Sequence, residues 1–217
     1  MRAFGLLVLT LASVHLMGCR NMMYSAMESI GIEKRDVLVD RIEETRDAQE
    51  SAKEQFTSAL DQFRKLVKVD AGDLERTYDR VTREYERSQQ RAQQTTDRIN
   101  AVEQVAADLF EEWEDELLEY SNASMRSDGE RLLNQTRRRY ATLMKAMRRA
   151  ESSMQPVLAL FHDQVLALKH NLNAQAIGSL RNELSSIEKE TSSLVRDMER
   201  SIAEANEFIT EMSSQGA

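Results

Sequence analysis

The stretch Leu74 to Trp113, LERTYDRVTREYERSQQRAQQTTDRINAVEQVAADLFEEW, decides the fold. Within it Leu74, Tyr78, Val81, Tyr85, Ser88, Ala92, Thr95, Ile99, Val102, Ala106, Leu109 and Trp113 follow in alternating steps of four and three, before the series slips to Leu117 and Tyr120. A step averaging about 3.5 residues keeps each member near one side of an α-helix. No glycine or proline interrupts the run, and charged or amide side chains fill most remaining positions. A helix with a single apolar stripe gains its stability by burying that stripe against other helices.

Three further stripes have the same spacing. One reads Leu38, Ile42, Thr45, Gln49, Ala52, Phe56, Ala59, Phe63, Leu66. Another reads Leu133, Thr136, Tyr140, Leu143, Met147, Ala150, Met154, Val157, Phe161, Val165, Leu168, Leu172. The last reads Ile177, Leu180, Leu184, Ile187, Thr191, Leu194, Met198, Ile202, Ala205, Ile209, Met212. Polar breaks separate the first three: Val69-Asp70-Ala71-Gly72-Asp73, and Ser121 through Gly129 with its cap and turn residues. The third break is weaker. His170-Asn171-Leu172-Asn173 and Gly178 favour a reversal near 170–178 over one continuous helix, since a lone fourth stripe needs a partner. The pattern predicts an all-α fold, an elongated antiparallel bundle or coiled coil of four long helices over about 32–69, 73–121, 128–171 and 174–213. Pro156 lies inside the third stripe and predicts a kink, serving either as a hinge or as a fixed bend.

Charge supports antiparallel neighbours. Folding the second and third helices about the 121–129 break sets Glu103, Asp108, Glu111, Glu112, Glu114, Asp115, Glu116 and Glu119 beside Arg131, Arg137, Arg138, Arg139, Lys145, Arg148 and Arg149. In that register residue 103 faces about 148. Folding the first hairpin about Gly72 brings Glu43, Glu44, Asp47, Glu50 and Glu54 toward Arg87, Arg91 and Arg98. Such exposed pairs are each worth about 0.2–1 kcal/mol, so they select register more than they stabilise.

The formal net charge of −8 excludes the basic surface that nucleic acid or an anionic membrane requires. Charged residues make up 30 % of the chain, against seven glycines, one proline and 6 % aromatics. That balance belongs to long helices with a thin seam. No catalytic, cofactor-binding or metal set stands out, and no cofactor is expected. His162 and His170 have no companion ligand close in sequence and are read as helix-face or helix-end residues. The carboxylates of Glu111 to Glu116 have no accompanying nucleophile or phosphate loop and are read as a solvated face. Arg137-Arg138-Arg139 point around a helix rather than together. Trp113 and Tyr120 fall on the seam and are read as core.

Residues 1–18 read as a secretory signal: Arg2, the apolar run Phe4 to Val14, then Leu16-Met17-Gly18 before Cys19. The apolar core is shorter than the ~20 residues needed to span a bilayer. Leu16-Met17-Gly18-Cys19 resembles the lipobox of bacterial lipoproteins, in which the cysteine is acylated and becomes the N-terminus. Cys19 is the only cysteine, so no internal disulfide forms. An ordinary signal peptide and an uncleaved anchor are the alternatives. Arg20 follows where an aspartate would favour inner-membrane retention, so the resemblance implies an outer-membrane lipoprotein facing the periplasm of a Gram-negative cell. Residues 19–31 form the lipidated tether, in which Met23, Met27 and Ile30 share one helical face that suits either an interfacial helix or a flexible link.

The segments Ile32 to Arg41, Ala48 to Phe56, Arg148-Arg149-Ala150-Glu151, Met154 to Leu158, Asp163 to Leu166 and Leu168 to Ala174 have a further likeness. Together they resemble an uncharacterised family of proteobacterial coiled-coil lipoproteins, a domain of unknown function. The resemblance covers essentially the whole mature chain and implies no activity.

The expected role is that of a non-enzymatic, lipid-anchored scaffold or docking rod of the cell envelope. The alternative is a module that binds a lipid or other apolar ligand within the bundle. Small or polar seam residues, among them Gln49, Ser88, Thr95, Thr136 and Thr191, leave room for a further helix. A protein partner or self-association through helix faces is therefore expected, with membrane contact through the N-terminal lipid and no nucleic acid.

Overall fold

The computed structural model describes residues 34–67, 74–170 and 174–215. Four helices account for nearly all of them: α1 (Lys34–Leu66), α2 (Leu74–Glu119), α3 (Ala123–His170) and α4 (Ala174–Gln215). Each packs on its sequence neighbour, and α4 returns to pack on α1, which closes a ring of four. At 1.5 Å per residue the longest helix spans about 70 Å, so the bundle is a rod.

Pairings across the grooves fix every neighbour as antiparallel. Arg98 binds Glu44, and Gln55 donates to Glu84 Oε2 at 2.7 Å, between α2 and α1. Arg148 meets Glu103 at 2.5 Å and Arg137 meets Glu114 at 2.5 Å, between α3 and α2. Arg149 meets Asp197 at 2.8 Å and Arg139 meets Glu211 at 2.6 Å, between α3 and α4. Arg64 meets Glu188 at 2.7 Å and closes the α1–α4 groove. The chain therefore reverses between His170 and Ala174, as the third break required. The α2–α3 register is the one the charges predict. In the first hairpin only part of the expected pattern forms: Asp47 binds Arg46, Glu50 binds Lys53 and Arg87 binds Glu84, each within its own helix.

The stripes form the interior. Every member of the α1 stripe is buried. Phe63 and Phe161 stack across the bundle axis with ring centroids 4.7 Å apart, and Phe56 lies 6.1 Å from Phe161. A four-helix ring buries a wider band than a two-helix seam. Val37, Leu60, Val105, Phe110, Met144 and Leu158 accordingly join the core beside the stripe. Toward the end of α4 the burial shifts phase, with Ser201 and Phe208 fully enclosed while Ile202 and Ile209 are half-buried.

The second turn is tighter than its sequence suggests. α3 begins at Ala123 rather than near 128, because Asn122 Oδ1 accepts the Ser124 and Met125 amides at 2.9 and 3.3 Å. Arg126 donates to the Tyr120 carbonyl at 3.1 Å and ties off the end of α2. Gly129 thus lies inside the helix, where a Cβ would come 2.5 Å from Leu117 Cδ2. Its role is close approach between α2 and α3, not a turn. Tyr120, expected in the core, lies beyond the last residue of α2 and is exposed. Asn122→Ala should lower stability by about 1 kcal/mol, the usual value of a lost N-cap, measured by urea unfolding.

α3 is continuous through the exposed Pro156. One turn upstream, the Ser152 and Ser153 hydroxyls both donate to the Arg149 carbonyl, at 2.9 and 3.0 Å. The expected turns at 69–73 and 171–173, the signal, the tether and Cys19 lie outside the described residues.

Candidate functional site: a polar belt across the bundle

The apolar interior divides into two clusters. One holds Phe56, Phe63, Val81, Met154, Phe161, Leu168, Leu180 and Met198, toward the end bearing the first and third reversals. The other holds Leu38, Ile42, Ile99, Val102, Phe110, Leu143, Met147, Phe208 and Met212, toward the α2–α3 turn. Between them the register of α1, α2 and α4 sets Thr45, Gln49, Thr95 and Ser201 near one level, all fully buried.

Among the described residues, three of the six buried Ser and Thr hydroxyls are used up locally. Thr45 donates to the Arg41 carbonyl at 2.7 Å, Thr95 to Arg91 at 2.9 Å and Ser88 to Glu84 at 2.8 Å, the back-bonding that helical Ser and Thr favour. Gln49 is different. It is 0 % exposed, and neither its Oε1 nor its Nε2 has a hydrogen-bonding partner. Ser201 Oγ and Thr191 Oγ1 are likewise unpaired. Leaving a buried polar group unmatched costs about 1–3 kcal/mol.

Two buried carboxylates lie on the first cluster's side of the belt. Glu84 receives Gln55 Nε2 at 2.7 Å and Arg87 Nη1 at 3.0 Å. Asp197 receives Arg149 Nε at 2.8 Å and Ser153 Oγ at 2.7 Å. Each joins two helices beside the first apolar cluster. The stripe reading located Gln49, Ser88, Thr95, Thr136 and Thr191 but missed Glu84, Asp197 and Ser201. Those lie off the ideal stripe and carry no signal beyond a polar residue next to it.

The other sequence candidates are dispersed. His162 lies against Tyr85 in a tilted arrangement, with ring centroids 5.5 Å apart. Glu112 binds Lys34 at 2.9 Å, and Glu114 binds Arg137. Arg137 faces α2, also standing 5.2 Å over the Phe110 ring, whereas Arg139 faces α4. Consecutive arginines therefore diverge as their helical positions demand. Trp113 is half-buried against the second cluster. Among the described residues no three His, Cys, Asp or Glu side chains converge as metal ligands.

The electrostatics are those of structural pairs. The hydrogen bond from Arg139 holds Glu211 below the usual carboxylate range, with Gln135 adding to it. The Arg137 hydrogen bond does the same for Glu114. Burial pushes the Tyr140 phenol up to about 12 from 10.0, with Glu103 acting in the same direction and Arg148 opposing. The phenol is neutral in its favoured form, so this contribution is intact below pH 10 and is lost as pH rises from about 10 to about 12. Tyr140→Phe should flatten that loss while keeping the edge-on contact with Phe110 at 5.4 Å, as followed by unfolding at stepped alkaline pH.

Fold and belt together define an antiparallel four-helix bundle with a polar level set across its interior. The chain belongs to the family described as Protein of unknown function (DUF2959), whose model matches residues 23–212. No curated protein and no solved structure matches it.

Proposed function

We propose that this protein is a non-enzymatic, lipid-anchored docking rod in the envelope of a Gram-negative, proteobacterial cell. Acylated Cys19 would hold it to the outer membrane, facing the periplasm. The observation that carries the reading is where the anchor meets the rod. Lys34, at the start of α1, pairs with Glu112 near the end of α2. A lipid on Cys19 would therefore hold the bundle from the end that carries the α2–α3 turn, and the far end, where the first and third reversals lie, stands about 70 Å away. Among the described residues no helix is long and apolar enough to cross a membrane. The stacked rings of Phe56, Phe63 and Phe161 occupy the interior that an apolar ligand would need, which favours a rod over a lipid-binding module.

Cys19→Ala is expected to leave unprocessed precursor or release soluble protein, read by membrane fractionation and palmitate labelling. Labelled palmitate entering the variant as well as the wild type would overturn the anchor. In-cell crosslinking should find a protein neighbour along the helix faces, in another copy or a different chain. Finding none would overturn the docking role.

A further inference from the structure

Among the described residues four of the five large exposed apolar side chains gather at one end of the bundle, the exception being Leu166 near the other. Leu118 is 76 % exposed and Met125 is 53 % exposed, and they flank the α2–α3 turn with Tyr120 between them. Leu132 lies on the next two turns of α3, at the level of Leu118 in the antiparallel register. We propose that this tip enters the headgroup region of the same bilayer that holds the anchor, so that the rod has two points of contact with the membrane. The inference rests on the anchoring reading above.

Three observations choose a membrane as the occupant. The tip stands at the end where α1 begins, and 14 residues separate Cys19 from Lys34 at most ~50 Å of chain. A tether of that reach keeps the tip at high effective concentration near the surface, so weak apolar insertion is enough. The side chains suit the interface: leucine and methionine supply apolar bulk, and tyrosine has a ring with a polar end. Charge then narrows the surface. Arg131 pairs with Asp128, Arg126 binds the Tyr120 carbonyl, and Glu119 and Glu130 add two carboxylates, so the tip suits zwitterionic rather than anionic headgroups. A stable protein interface takes roughly 800 Å² from each partner, more than a few partly exposed side chains among charges offer.

The test uses full-length lipidated protein in phosphatidylcholine vesicles. Lipidation consumes the single native cysteine, so Met125→Cys takes one nitroxide label, and Lys65→Cys near the opposite end of the bundle serves as the control. Both positions are exposed, so neither substitution disturbs the core. On floated vesicles the Met125 label should become accessible to oxygen and shielded from a water-soluble nickel chelate, and the Lys65 label should show the reverse. Equal chelate access at both sites, with the protein still floating, would overturn the tip contact and leave the anchor standing. Protein that fails to float would overturn the anchor and the tip contact with it. A Met125 label that stays in water on vesicles, at a position that crosslinks to protein in cells, would assign the tip to a protein partner and overturn the proposal.

Discussion

Replacing Phe161 by alanine should lower the unfolding free energy by about 3–5 kcal/mol, the largest loss expected from any single side chain in the bundle. Phe161 is fully buried and is the ring shared by both stacking contacts, at 4.7 Å to Phe63 and 6.1 Å to Phe56. Those partners come from α1, the diagonal neighbour of α3, so truncation opens a void on the bundle axis. A void there is hard to refill, because the surrounding positions belong to four separate rigid helices. Leu166→Ala, on the same helix but exposed, should change stability by no more than about 0.5 kcal/mol. Chemical unfolding followed by helical circular dichroism measures both. A Phe161→Ala loss no larger than that of Leu166→Ala would mean that the rings are not packed as described.

Gln49→Met should act in the opposite direction and raise stability by about 1–3 kcal/mol. The substitution keeps an unbranched side chain of similar length and removes two fully buried polar atoms that have no partner. It also extends apolar contact between the two clusters. Evolution retains polar residues in helical cores where they discriminate between registers. The more stable variant should therefore pack less uniquely, seen as broadened side-chain resonances or weakened near-ultraviolet dichroism. A drop in stability on Gln49→Met would show that the amide is matched in solution and that the belt is a satisfied network.

Much of the architecture was legible in the spacing of a few residue types. Steps of four and three from Leu74 to Trp113 fixed a long helix, and the matching stripes fixed four. Opposite charges at Glu103 and Arg148, and at Glu114 and Arg137, were enough to set one groove in register. The ends of helices were harder, because a turn residue read in isolation has more than one use. Gly129 looked like punctuation, yet a single asparagine whose side-chain oxygen accepts two amides starts the helix earlier, and the glycine instead admits Leu117. Tyr120 continued the stripe by count alone, but the helix it belonged to had already ended. The polar belt was half visible. Thr45, Gln49 and Thr95 stood on stripes, whereas Glu84, Asp197 and Ser201 depend on how four curved surfaces meet, and no single helix encodes that.

The belt also bears on how the rod yields. Apolar contact is the cohesive term between helices, and at this level it is replaced by hydroxyls and an amide. Hydrogen-bond protection of the backbone should therefore not fall uniformly along the axis. Each half has its own aromatic or aliphatic nucleus, so each constitutes a cooperative unit of its own, and the boundary between the units is Gln49. Strain applied at the end bearing the first and third reversals would be absorbed by opening that half first, and the half at the α2–α3 turn would keep its fold.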